Sequence, residues 1–91
     1  MMLSLREKTV CITGASSGIG AVCAEEFAKL GCNIILIARR TERIAALALK
    51  LNAAFGIRSL AIQLDVRHRN DVEKVFASLP DEWQATDILV N

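Results

Sequence analysis

Eight residues, Thr13 to Gly20 (TGASSGIG), place three glycines and two serines between a short apolar run and a stretch with helical spacing. Glycine permits positive φ and close backbone approach. The first turn of a helix offers unpaired N–H groups and a partial positive charge. A phosphate is the commonest occupant of such a turn, and Ser16 and Ser17 add hydroxyl donors. A P-loop needs G-x-x-x-x-G-K-[ST]; no such lysine follows Gly14, so that chemistry is excluded. The spacing Gly14-x-x-x-Gly18-x-Gly20 also departs from the dinucleotide fingerprint G-x-G-x-x-G. A glycine-rich turn without a ligand is the plain alternative. Its position between a strand and a helix weighs against that alternative.

A second group of residues bears on which phosphate is held. An acidic residue about 20 positions beyond the glycines would accept hydrogen bonds from a ribose 2′-hydroxyl, as NAD requires. Ala38 and Arg39 stand there instead, followed by Arg40. A guanidinium grips a phosphate through parallel charge-assisted hydrogen bonds, where a carboxylate would repel it. Arg39, with Arg40 as the weaker partner, therefore points to NADP rather than NAD. The bland alternative is a pair of solvated strand-end charges.

These residues need a frame, and the hydrophobic pattern predicts one. Lys8–Thr13, Asn33–Ala38, Ser59–Val66 and Thr86–Asn91 read as strands, the second a continuous apolar run suited to a strand covered on both faces. Between them lie three helical patterns. The first starts at Gly18 with Ile19, Val22, Cys23, Phe27 and Leu30 as its apolar face, and stops at Gly31. The second is capped by Thr41, faces inward with Ile44, Leu47, Ala48, Leu51 and Phe55, and stops at Gly56. In the third, Asn70 and Glu73 are placed for a capping box, Val72, Val75, Phe76 and Leu79 form the stripe, and Pro80 ends it. Alternation of this kind predicts an α/β fold: a Rossmann-type, doubly wound parallel sheet with strand order 3-2-1-4. Two helices would cover one face and the third the other. The chain reverses direction between strands 1 and 4, which makes that crevice the expected ligand site.

TGASSGIG after a strand, LDV at the end of strand 3 and ILVN on strand 4 together resemble the short-chain dehydrogenase/reductase family, over about Lys8 to Asn91. The stretch around Trp83 and the run ARRTERI are similar to its NADP-dependent 3-hydroxy acid dehydrogenases, which act on serine and allo-threonine. The resemblance implies that the glycine turn (Gly14, Ser16, Ser17, Gly18, Ile19 and Gly20) holds the pyrophosphate and adenine ribose. It implies further that Asp65 and Val66 border the adenine, and that Asn91 supports the sheet beside the cofactor. A small alcohol or carbonyl substrate follows, and a homo-oligomer as the complete enzyme. The family's chemistry uses a Ser, and a Tyr and Lys in Y-x-x-x-K spacing. This chain has no tyrosine. No catalytic residue is therefore assigned. Residues 1–91 are expected to be the NADP-binding part of a longer enzyme, its sheet incomplete at the strand 4 edge, a bare apolar edge being a pairing hazard. The alternative is a non-catalytic NADP-binding module or a truncated product. A methyltransferase is more distant, since its nucleoside ribose calls for an acid where Ala38 and Arg39 stand.

Composition agrees with one small, ordered domain. Of 91 residues, 53% are hydrophobic and only 4% aromatic, which predicts aliphatic strands against Ala-rich helices. A net charge of +1 argues against nucleic acid or a membrane surface as partner. No signal peptide or membrane-length apolar run is visible. Cys11, Cys23 and Cys32 are odd in number and lie in apolar segments, as buried thiols of a cytoplasmic protein would. No metal site is expected: His68, between Arg67 and Arg69, has no partner at ligand spacing and reads as part of a charged surface loop.

Overall fold

The computed structural model describes residues 6–15, 18–84 and 86–90. Its elements are β1 (Thr9–Thr13), α1 (Gly18–Lys29), β2 (Asn33–Ala38), α2 (Thr41–Phe55), β3 (Ser59–Gln63), α3 (Arg69–Ser78), α4 (Asp81–Gln84) and β4 (Ile88–Val90). The four strands form one parallel sheet in the order β3-β2-β1-β4, as the β-α alternation predicts. Register is set at the centre, where Cys11 pairs with Ile35 of β2 and Leu89 of β4.

Side chains alternate across the strands, and two separate cores result. Val10, Ile12, Ile34 and Leu36 pack with Ala24 and Ala28 of α1 and Ile44 and Leu51 of α2. Cys11, Ile35 and Ile37 point the other way, toward Leu64, Trp83 and the stripe Val72, Val75, Phe76 and Leu79. Two long helices therefore cover one face and α3 the other. Trp83 is only 7% exposed and comes from α4, a single turn beyond Pro80 that periodicity did not predict.

The expected face of α1 is corrected. Gly20, Ala24 and Ala28 are its buried residues, while Ile19 is 81% and Val22 59% exposed. Leu30, just beyond the helix, is exposed as well, and Cys23 and Phe27 pack only partly against the core. The cause is steric. A Cβ on Gly20 would lie 2.5 Å from the Gly14 carbonyl oxygen, so the helix approaches the turn on its smallest residues.

Both predicted caps shift as well. Arg40, in extended conformation, is the N-cap of α2, and Thr41 is already helical. His68 is the N-cap of α3, so Asn70 lies inside the first turn and no side-chain cap bond forms at either helix. The Asp65–His68 turn, closed by His68 N–H donating to the Asp65 carbonyl at 3.0 Å, sets that earlier start. The same turn ends β3 at Gln63 instead of Val66. Gly56 caps α2 with φ 66°, as expected. At the other edge, Asp87 pins β4 to β1: its Oδ2 accepts from Thr9 N–H and its own N–H donates to the Thr9 carbonyl, both at 2.9 Å. Among the described residues no helix is long and apolar enough to cross a membrane.

Candidate cofactor-binding site

At the carboxyl ends of β1, β2 and β3 lies a cavity of about 780 Å³. It joins Gly14 of the glycine turn to Arg39 and Arg40 after β2 and to Asp65 and Val66 after β3. Five of the residues singled out in the sequence thus share one cleft. Gly18, Ile19 and Gly20 lie outside its lining. Ser16, Ser17 and Asn91 lie outside the described residues. Among the described residues, the walls of the cavity are the β2–α2 and β3–α3 turns.

Each wall is held from beneath. Ala15 N–H donates to the Ile37 carbonyl at 3.1 Å, which fixes the glycine turn against the end of β2. Leu64 N–H donates to the Ala38 carbonyl at 2.9 Å, and Gln63 Nε2 donates to the Arg39 carbonyl at 3.1 Å. The β3 end therefore supports the turn that carries the arginines. Gly14 adopts φ +64°, the left-handed conformation that glycine accommodates best. Around Gly18, among the described residues, no atom lies within 4 Å of where a Cβ would sit. None of the described residues demands glycine there.

Two further arginines line the cavity, the first missed by sequence reasoning and the second given too little weight. Arg43, one turn into α2, joins Arg39 and Arg40 on the same wall. Its spacing of four from Arg39 along a helix start was the available signal. Among the described residues no ion pair or side-chain hydrogen bond engages these three guanidinium groups. The second is Arg67, for which the sequence offered a place making the adenine end of the crevice more positive but favoured a charged surface loop. Its Nη2 donates to Asp65 Oδ2 at 2.7 Å, its Nε to Oδ1 at 3.0 Å, and its backbone N–H to Oδ1 at 3.0 Å. These side-chain and backbone hydrogen bonds hold the Asp65 carboxyl well below the usual carboxylate range, and the same pairing raises the Arg67 guanidinium.

His68 is exposed, and its Nδ1 lies 3.6 Å from Asp71 Oδ2. No group of three or more metal-ligating side chains occurs among the described residues.

Residues 8–91 match the family described as short chain dehydrogenase. The chain belongs to that family. It is 43% identical over 82 residues to the NADP-dependent 3-hydroxy acid dehydrogenase of Salmonella typhi, covering 90% of this chain and 32% of that one. It is also 43% identical over 83 residues to the serine 3-dehydrogenase of Agrobacterium fabrum, covering 91% and 32%. The solved structure of L-sorbose reductase from Gluconobacter frateurii, complexed with NADPH and L-sorbose, superposes with a TM-score of 0.89 at 41% identity, covering all of this chain and 35% of that one. The chain thus spans about a third of the length of the relatives it matches.

Proposed function

We infer that this chain forms the NADP-binding part of an oxidoreductase acting on a small alcohol or carbonyl compound. The observation that carries the reading is the convergence of Arg39, Arg40 and Arg43, without acidic partners, on a cavity that also contains Gly14. In this reading Arg39 and Arg40, with Arg43 beside them, hold the 2′-phosphate. The turn from Gly14 to Gly20 receives the pyrophosphate, with Ser16, Ser17 and Ile19 contributing from the same stretch. Asp65 and Val66 border the adenine, and Asn91 supports the sheet. The open space at Gly18 and the positive φ of Gly14 suit a backbone that a phosphate approaches closely. Relatives with NADP in their names, and a neighbour complexed with NADPH, support the same cofactor.

When bound, the cofactor supplies or receives a hydride. This chain's own residues bind and orient it. With no tyrosine in the sequence, the family's usual general acid is not among these 91 residues. Relatives named for serine and 3-hydroxy acids make a 3-hydroxy acid the favoured substrate class. Three free thiols, two of them buried, support a reducing, cytoplasmic setting.

The test is a fluorescence titration of NADP and NAD against the Arg39→Asp variant. NADP should weaken by roughly 2–4 kcal/mol, since charge-assisted hydrogen bonds worth about 1.5–3 kcal/mol each are lost and repulsion is added. NAD should hold or improve, the new carboxylate accepting from the ribose 2′-hydroxyl. An unchanged NADP-to-NAD ratio would make Arg39 a solvated strand-end charge and remove the cofactor assignment.

A further inference from the structure

The register between β2 and β3 ends where Ala38 pairs with Gln63. Two residues, Arg39 and Arg40, then connect β2 to α2. Both cations therefore ride on one short turn. Arg40 is in extended conformation, and no side-chain cap bond holds it at the start of α2. A guanidinium that no ion pair engages takes its direction from the backbone that carries it. The pose of this turn thus decides where its positive charge points, and a binding group fixed beforehand gives up less freedom when the ligand arrives.

Gln63 reaches the turn from the neighbouring strand. Along β3, Ala61 packs against the core shared with α1 and α2, and Ile62 against the opposite core. Alternation returns Gln63 to the α2 side. There its Nε2 donates to the Arg39 carbonyl at 3.1 Å. Gln63 is exposed, and a neutral hydrogen bond open to water adds little to folding. What the bond fixes is direction, because it falls on the carbonyl of the first arginine itself. An amide suits the task. It donates without carrying charge, whereas a carboxylate at position 63 could not donate to a carbonyl and would compete with a phosphate for the guanidinium groups.

We propose that Gln63 is a positioning residue for cofactor selection: by holding the Arg39 carbonyl it aims Arg39 and Arg40 at the 2′-phosphate, and so widens the preference for NADP over NAD. The inference rests on the NADP reading above. It assigns part of that selectivity to a side chain outside the cavity lining.

The experiment is fluorescence titration of NADP and NAD against the protein and its Gln63→Met, Gln63→Asn, Arg39→Ala and Arg39→Ala/Gln63→Met variants. Gln63→Met keeps the length and loses the donor, while Gln63→Asn keeps the amide on a shorter stem. Each should weaken NADP about fivefold, the worth of one neutral hydrogen bond. NAD should change by less than about twofold, a split that a merely structural role would not produce. Urea midpoints should stay at the wild-type value, and the Arg39 carbonyl 13C resonance should move in both Gln63 variants before any cofactor is added. In the Arg39→Ala background, Gln63→Met should cost NADP less than it does in the wild type, because one of the groups it aims is gone. An unchanged NADP-to-NAD ratio in Gln63→Met would overturn the proposal. Equal weakening of both cofactors, with or without a lowered midpoint, would make Gln63 a support of the sheet end and overturn it too, as would additive effects in the double variant. If Arg39→Ala lowers the ratio while Gln63→Met does not, the positioning role fails and the NADP reading stands. If Arg39→Ala leaves the ratio at its wild-type value, both fall.

Discussion

Gly20 sits against Gly14: a Cβ on the helical glycine would meet the turn's carbonyl oxygen at 2.5 Å and the Ala15 Cα at 3.0 Å. A Cβ on Gly18, two residues earlier, would meet nothing within 4 Å among the described residues. Two glycines of one motif thus serve different ends. One lets α1 close onto the turn, and the other leaves space in front of the helix.

Alanine substitutions should separate these roles. Gly20→Ala forces a methyl group into backbone that cannot yield, and should destabilise the fold by roughly 1–3 kcal/mol, the usual cost of overpacking. Gly18→Ala should leave stability unchanged or raise it by about 0.4–1 kcal/mol, since the backbone there is not strained and the unfolded chain loses freedom. It should nonetheless weaken NADP. Urea denaturation and cofactor titration of both variants provide the check. Equal destabilisation of the two would refute the distinction.

Arg43 adds a third cation to the wall that carries Arg39 and Arg40. Arg43→Ala should weaken NADP by roughly 1–2 kcal/mol, less than a full charge-assisted bond because the site is open to solvent. NAD, which lacks the 2′-phosphate, should be nearly unaffected. The loss should shrink as salt rises. Equal weakening of both cofactors would place Arg43 in the shape of α2 rather than in phosphate selection.

Burial pushes the Cys11 thiol from its ordinary 9.0 up to about 11. Between those values the folded chain holds a proton that the unfolded chain releases. Stability from this group is therefore fully present below pH 9 and is lost as pH rises toward 11. The shift corresponds to roughly 2–3 kcal/mol. Cys11→Ala leaves a small void between Ile35, Ile37 and Trp83 and should be less stable than the wild type at neutral pH. Its deficit should narrow as pH approaches about 10.5, because it has no thiolate to bury. Denaturation curves of both chains from neutral to alkaline pH decide the point. A deficit that stays constant would show that the thiol titrates in the fold as it does in the unfolded chain, with no shift from burial.

Much of this molecule follows from local pattern alone. Continuous apolar runs such as NIILIA can only be strands covered on both faces, and their alternation with helical stripes leaves one sheet order and one distribution of helices. Arg39, Arg40, Gly14, Asp65 and Val66 were legible for the same reason: each stands at the end of a strand, and parallel strands bring their carboxyl ends to one edge. Close packing and long-range geometry decided the rest. Periodicity ranks residues by hydrophobicity, so it chose Ile19 and Val22 for the face of α1. The sheet instead accepted Gly20, Ala24 and Ala28, because distance of approach governs that contact. The one-turn α4 is too short to show a period, yet it delivers Trp83 to the second core. Arg67 looked like one charge among several in RHRN. Only the Asp65 turn, which folds the chain back through three residues and engages both carboxylate oxygens, sets its guanidinium as a wall of the cavity.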